Sequence, residues 1–434
     1  MTTFPSGPGV QPARPRRRAF LRGAAGLAAG LAHGPAPAQT ALAALADSPC
    51  ATWGTALTGP APASSMLSFN NQTLRLIVRA SIGGARVRVR LSNEWGNAAL
   101  QVGAAWLGIH AAGANVAAAS NRQLRFNGKA GATMAAGATL SSDALDFPLP
   151  PFAGLALSLY LPGAVQAASV HDAAFQTSYV SATGDHAGAA AMAVQRTLYS
   201  WPLLAEIDAA GPAPGSATAA PASALVALGD SLTDGARSSG NADRRWPDYL
   251  ARRLAAQRPA GWAPVGVVNR GISGNRLLAD SADTPLAGRA AVERFERDVA
   301  ATAGARYLAV LVGINDIIRS PSANPVTADQ LAAGYTRLAA RAHARGMLAL
   351  GATMPPFEGY TWYTTARDGV RRRANDWIRN GGAFDAVADF DAVLRDPRQP
   401  TRLLARYDSG DPLHPQDAGY EAMAQAVPLG LFAP

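Results

Sequence analysis

Two periodicities divide the chain. Between about residues 51 and 205 apolar and polar residues alternate, as in Leu74-Arg-Leu-Ile-Val-Arg79 and Arg86-Val-Arg-Val-Arg-Leu91. A strand sends successive side chains to opposite faces, so this alternation predicts half-buried strands. Ile82-Gly83-Gly84 between those two runs reads as the turn of a hairpin. Further strand-like runs cover Ala104–Ile109, Leu155–Leu161 and Phe175–Val180, broken by Gly, Pro and Asn. A helical period is missing here, so the region is expected to be an all-β, sandwich-like domain. Residues 209–223, made of Ala, Gly, Pro, Ser and Thr, read as a linker.

From residue 224 to 434 the pattern changes. Leu225–Leu228, Val265–Val268, Tyr307–Val312, Met347–Thr353 and Ala386–Phe390 are short and almost continuously apolar. Amphipathic segments such as Pro247–Ala256 and Asp329–Arg345 lie between them. Buried strands alternating with helices predict an α/β domain whose parallel sheet carries helices on both faces. In such folds ligands sit beyond the carboxyl ends of the strands.

Composition is distorted by the N-terminus. Arg16-Arg-Arg-Ala-Phe-Leu-Arg22 runs into a weakly apolar stretch and then Ala36-Pro-Ala38. A basic region, a short apolar core and a small-residue cleavage signal read as an export peptide over 1–38, of the twin-arginine type. Periplasmic or secreted localisation is therefore expected, over the alternative of a basic arm that touches nucleic acid. Cleavage after Ala38 leaves 34 basic against 30 acidic side chains, a net +4 where the whole chain has +9. No basic block then remains to suggest a nucleic-acid partner. No apolar stretch approaches the ~20 residues that would span a bilayer, so stable membrane insertion is not expected. Cys50 is the single cysteine, so no intrachain disulfide can form. No Cys/His spacing suits zinc, and neither a metal nor another cofactor is expected.

Candidate chemistry falls at the strand ends, in a fixed order. Gly229-Asp-Ser231 follows the first apolar run, Gly274 lies in the loop after the second, Asn315 follows the third, and Asp411-Pro-Leu-His414 precedes the last helix. A serine hydroxyl needs a base to become a nucleophile. His414 supplies one, and Asp411, three residues earlier, can hold its Nδ1–H and leave Nε2 facing Ser231. Asp408 is a weaker candidate for that carboxylate. The backbone N–H groups of Ser231 and Gly274 and the side-chain amide of Asn315 are candidate oxyanion donors. Thr233 stands where the second glycine of a Gly-x-Ser-x-Gly elbow would be, so a softer turn opening a helix is expected. Prolines at 412 and 415 bias Asp411 and His414 towards an extended loop and let Pro415 open the terminal helix. Asn275 and Asp316 are expected to brace their loops. His110, His171, His186 and His343 read as surface or structural residues.

These four blocks resemble the SGNH (GDSL) hydrolase superfamily, whose name lists the residues that here are Ser231, Gly274, Asn315 and His414. The resemblance covers about 224–434 and implies a flavodoxin-like, five-stranded parallel sheet and metal-free ester hydrolysis through an acyl-enzyme. Gly313-Ile314-Asn315 departs from the Gly-Gly-Asn of many members but leaves the donor in place. The wording around the blocks is similar to the XynE-like arylesterase/acylhydrolase branch, and Leu-Ser-Asn93-Glu-Trp-Gly96 to the extra domain of its exported members. The expected activity is that of an exported serine esterase acting on short-chain, chiefly acetyl, esters of carbohydrate. Alternatives are a general aryl or short-chain carboxylesterase, a lysophospholipase-like lipolytic enzyme, and a non-catalytic carbohydrate-binding protein. Aromatics in Pro355-Pro-Phe-Glu-Gly-Tyr360-Thr-Trp362-Tyr363 flank the expected site.

Overall fold

The computed structural model describes residues 48–63, 66–216, 221–281 and 284–433; the expected export peptide lies outside them. Among the described residues the alternating half builds two two-stranded antiparallel sheets and two large ones. One runs in the order Cys50–Gly54, Leu204–Ala210, Gly84–Ser92, Thr139–Ser141, with Leu145–Leu149 also paired to Gly84–Ser92. The other runs Val194–Leu198, Ser178–Thr183, Leu67–Arg79, Gly154–Ala167, Ala104–Ile109, Arg122–Gln123. Leu74, Leu76 and Val78 from the second sheet share one buried core with Val87, Val89 and Leu91 from the first. Each such side chain, fully buried, stabilises the sandwich by roughly 1.5–3 kcal/mol.

The expected hairpin is corrected by this arrangement. Leu67–Arg79 and Gly84–Ser92 are consecutive in the chain but belong to opposite sheets. Leu67–Arg79 instead pairs with Gly154–Ala167, from Arg79 opposite Gly154 to Leu67 opposite Ala167. Alternation fixes which face of a strand is buried; it does not choose the partner. Arg86, Arg88 and Arg90 occupy the outward face of Gly84–Ser92, and Arg88 and Arg90 pair with Asp208 and Glu206 on the neighbouring strand.

The second half is an α/β domain with five parallel strands: β1 (Ser223–Gly229), β2 (Val265–Gly271), β3 (Ala305–Leu311), β4 (Leu348–Ala352) and β5 (Ala386–Ala388). Their spatial order is β2-β1-β3-β4-β5, the flavodoxin-like order, with all pairs parallel. Among the described residues seven α-helices accompany them: α1 (Ser231–Asp234), α2 (Trp246–Gln257), α3 (Ile314–Arg319), α4 (Ala328–His343), α5 (Thr365–Asn380), α6 (Phe390–Leu394) and α7 (Asp417–Ala426). β1 and β3 are buried on both sides over most of their length, which is why they read as continuous apolar runs. Among the described residues no helix is long and apolar enough to cross a membrane.

Within Leu42–Pro434 the two halves form one compact unit. Cys50, Ala51 and Ile82 from the N-terminal half lie in the same buried cluster as the parallel sheet. Ala51 N–H donates to Ala303 O at 2.9 Å, and Val267 N–H to Ser81 Oγ at 3.0 Å. At Gly266 a methyl group would stand 2.3 Å from Ala51 O, so only glycine lets the two backbones approach. Arg270, on β2, reaches across to Glu206, to the carbonyl of Thr55, and to that of Ala205 at 3.0 Å. Burial pushes the lone Cys50 thiol up to about 12.

Candidate active site

β1 ends at Gly229, and the chain turns at once into the four-residue α1. Asp230 caps that turn, its Oδ1 accepting Leu232 N–H at 3.0 Å, and Gly235 ends it in the left-handed region at φ 99°. Ser231 therefore stands at the carboxyl end of β1, between β2 and β3, in a capped turn, as the missing elbow glycine predicts. Burial raises the Asp230 pKa to about 7 against the N–H groups of Leu232 and Gly313 that hold it.

Ser231 Oγ lies 2.8 Å from His414 Nε2, and His414 Nδ1 lies 2.7 Å from Asp411 Oδ2. Asp411 Oδ1 accepts the backbone N–H groups of Leu413 at 3.0 Å and His414 at 2.7 Å. The aspartate thus folds 411–414 into a tight bend around itself, which corrects the extended loop expected from the two prolines. Pro415 also precedes the capping residue Gln416, so it lies before the terminal helix rather than opening it. Burial alone raises the Asp411 pKa, but the His414 ring and the two backbone donors outweigh it and hold the carboxyl far below the usual carboxylate range. Arg237 adds a further donor to Oδ2 at 3.1 Å. Asp408 instead accepts from Gly410 N–H, so the histidine is served by Asp411.

Residues 227–422 match the GDSL-like Lipase/Acylhydrolase family. This part of the chain is a GDSL-like acylhydrolase domain. The protein is accordingly a carboxylic ester hydrolase. Solved structures similar to the domain include LAE5, an α/β hydrolase from the metagenome of Lake Arreo, Spain. It is 22% identical, has a TM-score of 0.36, and the match covers 48% of this chain and 94% of that one. A mutant of Axe2, an acetyl-xylooligosaccharide esterase from Geobacillus Stearmophilus, is 22% identical with a TM-score of 0.36, covering 49% of this chain and 94% of that one. A member of the lipolytic G-D-S-L family from Veillonella parvula DSM 2008 is 16% identical, with a TM-score of 0.35 and coverages of 47% and 94%. No curated protein matches the sequence.

In the GDSL-like domain the other two blocks form a loop pinned on all sides. Ile272 N–H donates to Gly229 O at 3.1 Å, joining the ends of β2 and β1. Asn315, in the first turn of α3, donates its Nδ2 to Asn275 O at 3.1 Å and is buried. Asn275 holds the carbonyls of Ala287 and Arg289, both at 2.8 Å. Asp316 accepts Leu277 N–H at 2.7 Å and Leu278 N–H at 2.9 Å. Asn275 and Asp316 are thus braces, as their positions beside Gly274 and Asn315 imply. Gly274 sits between these anchors at φ 81°, a region that favours glycine. Among the described residues the N–H groups of Ser231 and Gly274 donate to no protein acceptor. Ile314 is buried in the domain core and leaves the Asn315 amide facing the loop.

Three residues that join the site carry no local sequence signal. Arg294 is fully buried and donates to Gly229 O at 2.8 Å, Arg270 O at 2.7 Å and Asn275 Oδ1 at 3.1 Å, while pairing with Asp298 at 2.9 Å. Asp234, at the end of α1, accepts both the N–H and the hydroxyl of Ser273. His171, expected to be merely structural, reaches Asp234 from the N-terminal half. His343 meets its expectation, pairing with Asp385 away from the site.

The aromatic segment divides its residues between core and surface. Phe357 is buried against Tyr363, with ring centroids 5.2 Å apart. Trp362 is 44% exposed, stands edge-on to Tyr360, and lies under the Arg319 guanidinium at 5.8 Å. That guanidinium also neighbours Gly274, where an added methyl group would lie 3.4 Å from it.

Proposed function

We propose that the protein is an exported serine esterase that removes short acyl groups, chiefly acetyl, from carbohydrate. The continuous chain of contacts from Ser231 Oγ to His414 to Asp411, at 2.8 and 2.7 Å, carries this reading. His414 Nε2 takes the hydroxyl proton as Ser231 Oγ adds to the ester carbonyl. The negative charge on the carbonyl oxygen is met by the N–H groups of Ser231 and Gly274 and by the free Nδ2–H of Asn315. His414 returns its proton to the leaving alcohol, and an acyl-enzyme remains. Water, deprotonated by the same imidazole, releases the acid and restores Ser231. Asp411 keeps His414 in the tautomer with Nδ1–H throughout.

Asp411 is held ionised far into the acid range, so it keeps its hold on His414 Nδ1–H there. Wild-type turnover in His414→Ala would remove His414 from the role of base. Trp362 and Tyr360, exposed and half-buried beside Asp411 and Arg319, offer a face for a sugar ring. Export rests on the basic, apolar and small-residue succession of 1–38, and fractionation of cells making the full chain tests it. The deciding assay compares p-nitrophenyl acetate, butyrate and octanoate with acetylated xylan, beside Ser231→Ala. Serine-dependent release of acetate from xylan supports the carbohydrate reading; turnover of the aryl esters alone supports a general short-chain carboxylesterase.

A further inference from the structure

His171 lies in a two-residue strand, Val170–His171, paired with Trp201–Pro202 in the N-terminal half. The residue is 3% exposed, and its ring stacks on Trp201 with centroids 5.6 Å apart and planes at 24°. Nδ1 is 3.0 Å from the carbonyl oxygen of Ala56, and Nε2 is 3.0 Å from Asp234 Oδ1. A carbonyl only accepts, so Nδ1 carries hydrogen. Nε2 faces a carboxylate oxygen, so a proton also lies between those two atoms, whichever of them bears it. The second oxygen of Asp234 accepts Ser273 N–H at 2.9 Å and Ser273 Oγ–H at 2.7 Å. Ser273 is bonded directly to Gly274.

We propose that His171 is a positioning residue for ester hydrolysis: through Asp234 and Ser273, the N-terminal half aims the Gly274 N–H at the oxyanion. The inference rests on the reading of Ser231 as nucleophile and Gly274 as donor. Asp234 is 1% exposed, and His171 is the side chain that satisfies its Oδ1. Without that partner the carboxylate keeps a buried oxygen unpaired, and either turns or takes up a proton. In both cases its grip on Ser273 slackens. Gly274 occupies a left-handed conformation that its neighbours must maintain, and oxyanion stabilisation depends on donors fixed before the charge develops. The N-terminal half is on this account a working part of the catalytic site.

The test uses the full chain carrying His171→Ala, His171→Gln, Ser273→Ala and the His171→Ala/Ser273→Ala pair, with kcat and KM for p-nitrophenyl acetate measured separately. His171→Ala and Ser273→Ala should each lower kcat by roughly 10- to 100-fold and leave KM within about twofold. The double variant should lose little beyond the worse single one, because both act through Asp234. Glutamine at 171 keeps an N–H within reach of Asp234 and should restore most of kcat. Hydrogen exchange over 271–278 should quicken in His171→Ala, a readout that needs no turnover. A folded His171→Ala with wild-type kcat and unchanged exchange overturns the proposal, as do fully additive losses. If His171→Ala fails to fold, Ser273→Ala and His171→Gln carry the same comparison. Failure of the underlying reading looks different: wild-type turnover would then survive Ser231→Ala while the exchange effect persisted.

Discussion

The two halves of the molecule bury arginine in opposite ways. In the sandwich, Arg75 is wholly buried and donates to the carbonyls of Ala114 and Ala189, each at 2.6 Å, of His186 at 3.2 Å and of Ala190 at 3.3 Å, and to Ser158 Oγ. Uncharged oxygens alone surround it, and burial lowers its pKa to about 10. In the α/β half, Arg294 is paired with Asp298 and spends its other donors on the ends of β1 and β2 and on the Asn275 side chain. Arg371 likewise meets Asp368 and Asp391. One arrangement ties loops to a sheet for stability. The other fixes the strand ends from which the loops of the candidate site leave. The lesson is that a buried charge serves activity when its hydrogen bonds end on the loops that hold the reacting groups.

Substitutions can break or sharpen this division. Ser231→Ala should lower kcat by roughly 10³- to 10⁶-fold with an unchanged melting temperature, as steady-state kinetics and thermal melts would show. Arg294→Met should cost both properties. It removes the clamp on Gly229 and Asn275, lowering kcat by about 10²-fold, and it leaves the buried Asp298 with Arg297 as its remaining arginine partner, costing ~2–3 kcal/mol in urea unfolding. Arg75→Met should cost ~3 kcal/mol through unsatisfied carbonyls, while kcat of the folded protein stays within about twofold. A large kcat loss there would erase the distinction between the halves. The smallest effect concerns Asp230. Burial raises its pKa from 3.8 to about 7, so ionising it opposes folding as pH climbs through that window. The melting temperature of Asp230→Asn should therefore gain on wild type between pH 5 and pH 8.

Much of the α/β half was legible because its strands are short apolar runs and its motifs sit at their carboxyl ends. Ser231, Gly274, Asn315, Asp411 and His414 could be picked out because each lies in a distinctive local phrase. The bend at 411–414 was misread because proline statistics describe single residues, whereas Asp411 folds the segment by accepting two backbone donors at once. The sandwich gave its class but not its pairings. Its two central strands are joined through Gly83 and Gly84, and only their shared core shows that they face each other across sheets. His171 and Arg294 were invisible for another reason. Their partners are Asp234, 63 residues away, and Gly229, 65 residues away, and no short-range pattern encodes such a meeting.

The close approach at Gly266 has a consequence for the order in which the chain takes shape. Cys50–Gly54 belongs to the first part of the described chain to be synthesised, yet it borders Leu204–Ala210 on one side and packs against Val265–Gly271 on another. More than 200 residues must therefore be made before its surroundings are complete. Contacts of such long range slow folding, because a large loop must close before any of them forms. A ribosome-bound chain halted before residue 265 should hold its first strand exposed to protease, and one extended past residue 271 should begin to protect it.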